Sequence, residues 1–313
     1  MKLPHDVVEE LKVAPGGAAA LDQRSTRQTE GDWLGQLGHD DPRDVAERDL
    51  GSFRAELEKA QGLLYANGTW ALLVVLQGLD TAGKDSTIKH VLAGANPLGC
   101  HVVSFRQPSR TELAHDFLWR CAVALPERGH IGIFNRSYFE EVLVCRVHPE
   151  LLQDQHLPGG GKVGKHFWEE RYEDINCFER HLVRSGTRVV KMFLHISKDE
   201  QRRRLLKRLD EPNKRWKFSS HDLAERAYFD AYRQAYEETI SATSTPWAPW
   251  YVVPSDHKLA LHALVGGIVV HELDQLELGP PSLSEERQAE LTEARRVLEA
   301  EGEPKGGERP GSL

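Results

Sequence analysis

The chain has 313 residues, is 40% hydrophobic and carries a formal net charge of -8. That length accommodates one large α/β core without demanding a second full domain, and the acidity argues against a nucleic-acid binder, since a polyanion would have to find a locally basic surface. The cysteines Cys100, Cys121, Cys145 and Cys177 lie far apart with no Cys-x-x-Cys pair, which argues against a zinc or disulfide framework and for buried free thiols; no apolar run reaches the roughly 18 residues of a membrane span, and Met1 is not followed by a secretory signal, so a cytoplasmic protein without a membrane partner is expected.

Residues 1–43 lack sustained periodicity and include Pro15-Gly16-Gly17, so a partly flexible arm is expected there, with Trp33 and Leu34 as docking points. Residues 44–66 place Leu50, Phe53, Leu57 and Leu64 at helical spacing. The apolar run 71–76 has the length of a strand buried on both faces, followed by a glycine-punctuated loop at 78–84 and a helix at 85–92. Beyond a turn at Asn96-Pro97-Leu98-Gly99, the pattern predicts a strand at 101–105, a helix at 111–125 with Thr111 as cap, a strand at 130–134 and a helix at 138–147. A loop at 157–161 precedes a helix at 166–184, ended by Gly186, and a strand at 189–196. Ser197 and Glu200 form a capping-box start for a basic helix at 198–210; an irregular basic segment at 213–218 follows. A helix at 220–241, a strand at 250–253 and a helix at 257–276 complete a compact domain at 44–278. Pro280-Pro281 marks its end, and 279–313 holds a charged helix and a Gly/Pro-rich tail. Strands separated by helices predict an α/β fold in three α/β/α layers, with a central, mostly parallel, five-stranded sheet.

The stretch that organises this fold is 78–86. Strand, then Gly-x-x-x-x-Gly-Lys, then helix is the P-loop arrangement, in which backbone N–H groups and a helix N-terminus converge on phosphate oxygens and a lysine adds a charge. Gly78, Thr81, Ala82, Gly83, Lys84, Asp85 and Ser86 are therefore the candidate phosphate-binding residues. Asp85 stands where Ser or Thr is usual, and Asp80 sets a carboxylate inside an anion-binding loop, which needs a cation between them; Asp80 is thus assigned to a magnesium ion. The third strand ends in Asn135-Arg136-Ser137, at the carboxyl edge where open α/β sheets bind ligands. Arg136 suits the charge of a moving phosphoryl group, while Glu140 and Glu141 suit metal or acceptor positioning; an Asn cap followed by a surface arginine is the plain alternative. The second cluster, Arg202, Arg203, Arg204, Lys207 and Arg208 followed by Lys214-Arg215-Trp216-Lys217, is either a solvated face or a lid over phosphates at about 200–222.

Gly78-Leu79-Asp80-Thr81-Ala82-Gly83-Lys84-Asp85, Phe134-Asn135-Arg136-Ser137-Tyr138, Lys214-Arg215-Trp216-Lys217-Phe218 and 245–254 together resemble the second family of polyphosphate kinases, over about residues 45–275. The resemblance implies a P-loop kinase fold of the thymidylate-kinase type with a helical lid, and transfer of a phosphoryl group between inorganic polyphosphate and a nucleotide with Mg²⁺, or Mn²⁺ in its place. Carried over, Asp80, Lys84 and Arg136 are the catalytic group and Asp80 and Asn135 the metal group. Arg204, Arg208, Lys214, Arg215 and Lys217 grip polyphosphate, and Asn135, Glu140, Glu141 and Arg106 bind the nucleotide, with adenine as the base and guanine as the alternative. Asn135, where many members have Asp, resembles the subgroup acting on both AMP and ADP. Family members are commonly dimers or tetramers, so a homo-oligomer is implied.

Three alternatives stay in view. An ATP-dependent nucleoside monophosphate kinase shares the P-loop and lid. A GTPase would need an Asn-Lys-x-Asp segment, and Asn213-Lys214-Arg215-Trp216 fails at its last position. A non-enzymatic polyanion-binding module would use the arginine cluster alone.

Overall fold

The computed structural model describes residues 3–27, 42–158, 163–217, 220–280 and 283–302. The chain divides into two units, 1–278 and 279–313. The first is built on a parallel sheet of β1 (Ala71–Gln77), β2 (Cys100–Ser104), β3 (Ile131–Asn135), β4 (Thr187–His195) and β5 (Trp250–Pro254), ordered β2-β3-β1-β4-β5. Every residue of β1 is buried, as its unbroken apolar run requires. Neighbours β1 and β3 send their outgoing connections to opposite sides of the sheet, which opens a crevice at their carboxyl ends. The register pairs Leu76 with Asn135, so the loop after β1 and the turn after β3 emerge side by side.

Helices cover both faces. In one group α2 (Pro42–Asn67), α3 (Lys84–Val91) and α11 (Lys258–Asp274) pack together; in the other, α6 (Glu140–Val147), α7 (Lys165–Arg184) and α10 (Phe229–Thr243) do so. Helix α11 is apolar nearly all round and buried accordingly, although no helix among the described residues is long and apolar enough to cross a membrane. A Cβ at Gly267 would lie 2.4 Å from Leu3 and 3.1 Å from the Phe53 ring, so this glycine is what lets α2 and the N-terminal residues close on α11. Behind β4, the buried Lys191 donates to Glu179 Oε2 at 2.6 Å and to the Thr243 carbonyl at 2.6 Å, and Tyr138 donates to Glu179 Oε1 at 2.8 Å, joining both helical neighbours of that strand.

The structure corrects the expectation of an N-terminal arm. Residues 3–27 carry α1 (His5–Leu11) and bury Leu3, Val7, Val8, Leu11, Val13, Ala19 and Leu21. Lys12 bridges Tyr251 in antiparallel fashion and the Val13 amide donates to the Trp250 carbonyl at 2.8 Å. The segment therefore covers the free edge of β5, where unpaired backbone groups would otherwise face water or another chain. Trp33 and Leu34 lie outside the described residues.

Two expected helices are interrupted. In place of 111–125 stand α4 (Arg110–Leu113) and α5 (Trp119–Ala122). Ser109, not Thr111, makes the capping box with Glu112, and Asp116 accepts from the Leu118 amide at 2.9 Å, diverting the backbone between the two. The expected helix 220–241 is α9 (Ser220–Arg226) and α10, separated by tight turns at Ala227 and Tyr228. Helix α8 (Lys198–Asp210) starts at Ser197 as expected, but Glu200 turns its carboxylate to Arg203 and Arg204 instead of completing a capping box. In the second unit, α12 (Glu285–Gly302) is laced by exposed pairs such as Arg295–Glu299 at 2.7 Å.

Candidate active site

Between β1 and α3 the chain turns through Thr81, with φ of 65°, and Gly83, with φ of 114°, a conformation open to glycine. Each carbonyl from residue 78 to 83 has a donor. Lys84 Nζ reaches the carbonyls of Gly78 at 2.5 Å and Leu79 at 3.3 Å, and Gln201 Nε2 that of Asp80 at 3.2 Å. Arg204 Nη1 holds the carbonyls of Thr81 at 2.9 Å and Ala82 at 3.0 Å, the latter shared with the Ser255 hydroxyl. The Gly83 carbonyl accepts from the Thr87 amide and the Ser86 hydroxyl, each at 2.9 Å. Fixing a carbonyl fixes its peptide plane and hence the direction of the amide on the other side of it, so the backbone of this candidate anion nest is held in place before any anion arrives, with the Ala82 amide already donating to the Leu79 carbonyl at 3.1 Å. The Thr81 hydroxyl is shielded from solvent and has no hydrogen-bond partner among the described residues, a donor suited to a phosphate oxygen.

Charges converge on the mouth of this nest. Arg136, in left-handed backbone with φ of 66°, donates to Asp80 Oδ1 at 3.0 Å and Glu140 Oε2 at 2.9 Å. Glu140 first, and Asp80 after it, raise the guanidinium pKa against burial, so Arg136 stays charged. Burial, reinforced by the Arg136 cation and opposed by Asp80, Glu140 and Asp85, lowers Lys84 to about 8. Asn135 Nδ2 donates to Asp85 Oδ1 at 2.8 Å and to Ser104 Oγ at 3.3 Å. The two departures from the usual motif are therefore complementary: an amide at 135 can donate to the carboxylate at 85, whereas a carboxylate there would repel it.

The remaining sequence-predicted residues divide. Arg106 lines the cleft in front of the P-loop, and its carbonyl accepts from Arg120 at 2.8 Å. Ser86 is spent on Gly83 and on His262 Nε2, 3.2 Å away, so its hydroxyl braces the loop instead of facing a ligand. Glu141 accepts from Gln155 at 2.7 Å and Arg171 at 3.3 Å, and holds the cleft wall; of the two glutamates it is Glu140 that meets Arg136. Arg204 is corrected most sharply. Its five N–H groups are consumed by Glu200, Thr81, Ala82, Ser255 and Asp256, so it clamps the P-loop to the end of β5 and has none left for an incoming chain of phosphates. Arg208 donates to Asp222 at 3.1 Å, linking α8 to α9, and Arg215 donates to the Leu209 carbonyl at 2.8 Å. Lys214 and Lys217 belong to a 3-10 turn at Pro212–Lys217; Phe218 lies outside the described residues.

The cleft has a volume of about 610 Å³. Its lining includes the apolar Phe105, Leu143, Val144 and Phe229, none of which the sequence reading singled out; periodicity marks such residues as core without distinguishing a cavity lining. Seven acidic residues and three arginines line it, among them Asp80, Glu140, Asp222 and Glu225. A highly anionic ligand entering such walls needs a divalent cation as well as Arg136 and Lys84. Among the described residues no three His, Cys, Asp or Glu side chains are grouped to hold a metal by themselves. Asp80 and Asp85 are carboxylates of the kind through which Mg²⁺ is held, one or two at a time, with substrate phosphates and water completing the shell.

The sequence model of the polyphosphate kinase 2 family matches residues 41–278. This chain belongs to that family. The ADP-polyphosphate phosphotransferase of Rhodopseudomonas palustris is 51% identical over 242 residues, 77% of this chain and 84% of that protein. The AMP/ADP-polyphosphate phosphotransferase of Meiothermus ruber is 47% identical over 232 residues, 74% of this chain and 82% of that protein. The crystal structure of polyphosphate kinase 2 from Arthrobacter aurescens TC1 matches with a TM-score of 0.81 and 36% identity, over 94% of this chain and 96% of that one. The P-loop kinase fold and the assignment to the kinases thus hold for this chain.

Proposed function

We propose that this polyphosphate kinase 2 transfers the terminal phosphoryl group of inorganic polyphosphate to AMP and to ADP, in the presence of Mg²⁺ or, with the same oxygen donors, Mn²⁺. The observation that carries the proposal is Arg136, held between Asp80 and Glu140 at the junction of the P-loop and the acidic cleft. Phosphoryl transfer is mostly positioning and electrostatics, and a cation fixed at this junction suits a place where donor and acceptor oxygens would meet. The amide nest and Lys84 hold the donor end, and Arg208 with Lys214, Arg215 and Lys217 grips the chain behind it and excludes water. Asp80 and Asn135 would hold the metal, with Asp85 beside them; bound there, it neutralises phosphate charge that the carboxylate walls would repel. The attacking phosphate oxygen is already anionic at neutral pH, so no general base is required. Donor and product are both phosphoanhydrides, and the reaction runs in either direction with concentration.

The acceptor range rests on Asn135 and on the AMP/ADP activity named for the Meiothermus relative. AMP must carry its nucleoside one phosphate deeper than ADP, and an uncharged residue at 135 lowers the repulsion it meets there. Purified protein is incubated with Mg²⁺, long-chain polyphosphate and either AMP or ADP, and products are resolved by anion exchange. ATP from both tubes is expected. ATP only from ADP would confine the enzyme to the diphosphate, as the Rhodopseudomonas relative is named; transfer only with ATP as donor would remove polyphosphate from the reaction.

Lys84 gives a pH signature. It is charged below about 8 and loses its proton above that value, so kcat/KM for polyphosphate should fall above about pH 8. Bound phosphate favours the charged form, which moves the same limb of kcat to higher pH. A pH profile of both parameters checks this; a flat kcat/KM through pH 9 would contradict it.

A further inference from the structure

We infer that Gln201 is a positioning residue that ties the Asp80 peptide of the catalytic loop to helix α9, the helix that follows the basic segment. The inference rests on the kinase reading above and adds a residue to it. Gln201 is 4% exposed and spans two partners: its Nε2 donates to the Asp80 carbonyl at 3.2 Å, and its Oε1 accepts from Arg226 Nη1 at 2.7 Å. A carbonyl can only accept and a guanidinium can only donate, so the partners fix which way the amide points. Beyond the peptide, the Asp80 carboxylate holds Arg136, and Arg136 holds Glu140.

The neighbouring carbonyls are anchored differently. Those of Thr81 and Ala82 are held by Arg204, whose other bonds run to Glu200 and to the carbonyls after β5. The Asp80 carbonyl is held through a side chain shared with α9. That helix is fastened by Asp222 to Arg208 at 3.1 Å, and by Glu225 to the Tyr232 hydroxyl at 2.7 Å and to His148 at 3.2 Å. Arg226 also donates to the Lys198 carbonyl at 2.9 Å, so it sits against the start of α8 as well as Gln201. The position of α9 therefore bears on the one P-loop peptide whose side chain orients the catalytic arginine. Along α8, residues 201, 204 and 208 face inward at helical spacing while 202, 203 and 207 face solvent, so the basic run divides into a bracing face and an exposed face.

The test compares Gln201→Glu, Gln201→Leu, Arg226→Met and the Gln201→Leu/Arg226→Met double variant. A glutamate at 201 still accepts from Arg226 but confronts the Asp80 carbonyl with a second acceptor. Gln201→Glu and Gln201→Leu should each lower kcat about tenfold, the effect of a modest displacement of a catalytic group, with KM for polyphosphate within about twofold of the parent. The double variant should be no slower than Gln201→Leu alone, because both changes cut the same link. Amide hydrogen exchange over residues 79–83, measured without substrates, should quicken in both Gln201 variants while the thermal midpoint stays within about 2 °C. Full kcat in Gln201→Glu, additive losses in the double variant, or unchanged exchange would each overturn the assignment. The exchange readout needs no turnover, so it scores the link even if polyphosphate proves not to be the donor.

Discussion

Arg136→Ala should lower kcat for polyphosphate-dependent transfer by about 100- to 1,000-fold, the usual loss when one preorganised charge aimed at a transition state is removed. The loss should fall on kcat more than on KM, because in the proposed reaction Lys84 and the loop amides, not Arg136, bind the donor. Arg136→Lys should recover little of it. The guanidinium reaches Asp80 and Glu140 with separate nitrogens, at 3.0 and 2.9 Å, and an ammonium cannot hold that fork while facing a phosphoryl group. Left unbridged, the two carboxylates repel each other across the entrance to the loop. Steady-state kinetics with ADP as acceptor, together with a thermal melt to show that the fold persists, make the measurement. Transfer retained in Arg136→Ala would remove the arginine from the reaction.

Much of this site is legible in the sequence because it is local. A buried strand, a glycine-bearing loop and a helix follow one another between Ala71 and Val91, and the parallel register then brings Asn135 beside the same crevice. What the sequence conceals depends on contacts made far along the chain. The docking of residues 3–27 uses partners more than 200 positions away, such as Glu237, which accepts from the amides of Ala20 and Leu21. No periodicity in a segment of backbone contacts announces them. Glu140 and Glu141 lie about 100° apart on a helix, and it is Glu140 that meets Arg136, whose left-handed backbone is a conformation that no rule for arginine predicts. The basic run of α8 was the most readable of the concealed features. Spacing 201, 204 and 208 on one stripe separates bracing residues from solvent-facing ones, but treating the arginines as a block of charge hides it.

Arg204 and Arg208 offer the sharpest contrast between the two readings of that run, since both are candidates for gripping polyphosphate in the sequence. Arg204 is buried and satisfies Glu200 and four backbone carbonyls, so Arg204→Ala leaves acceptors in three separate elements without their donor. Breaking a buried charge pair costs about 3–5 kcal/mol, which in a domain of this size corresponds to a midpoint roughly 10 °C lower. Glu200 keeps a partner in Arg203, which favours the lower end of that range. Among the described residues Arg208 makes one side-chain bond, to Asp222. Arg208→Ala should leave the melt within about 2 °C and instead raise KM for polyphosphate about tenfold, the loss of one charged phosphate contact. If Arg204→Ala left the melt unchanged and raised only KM, the clamp would be a phosphate contact after all; if Arg208→Ala lowered the midpoint with KM unchanged, Arg208 would serve only to fasten α9 through Asp222 and the grip on the donor would belong to the segment at 212–217.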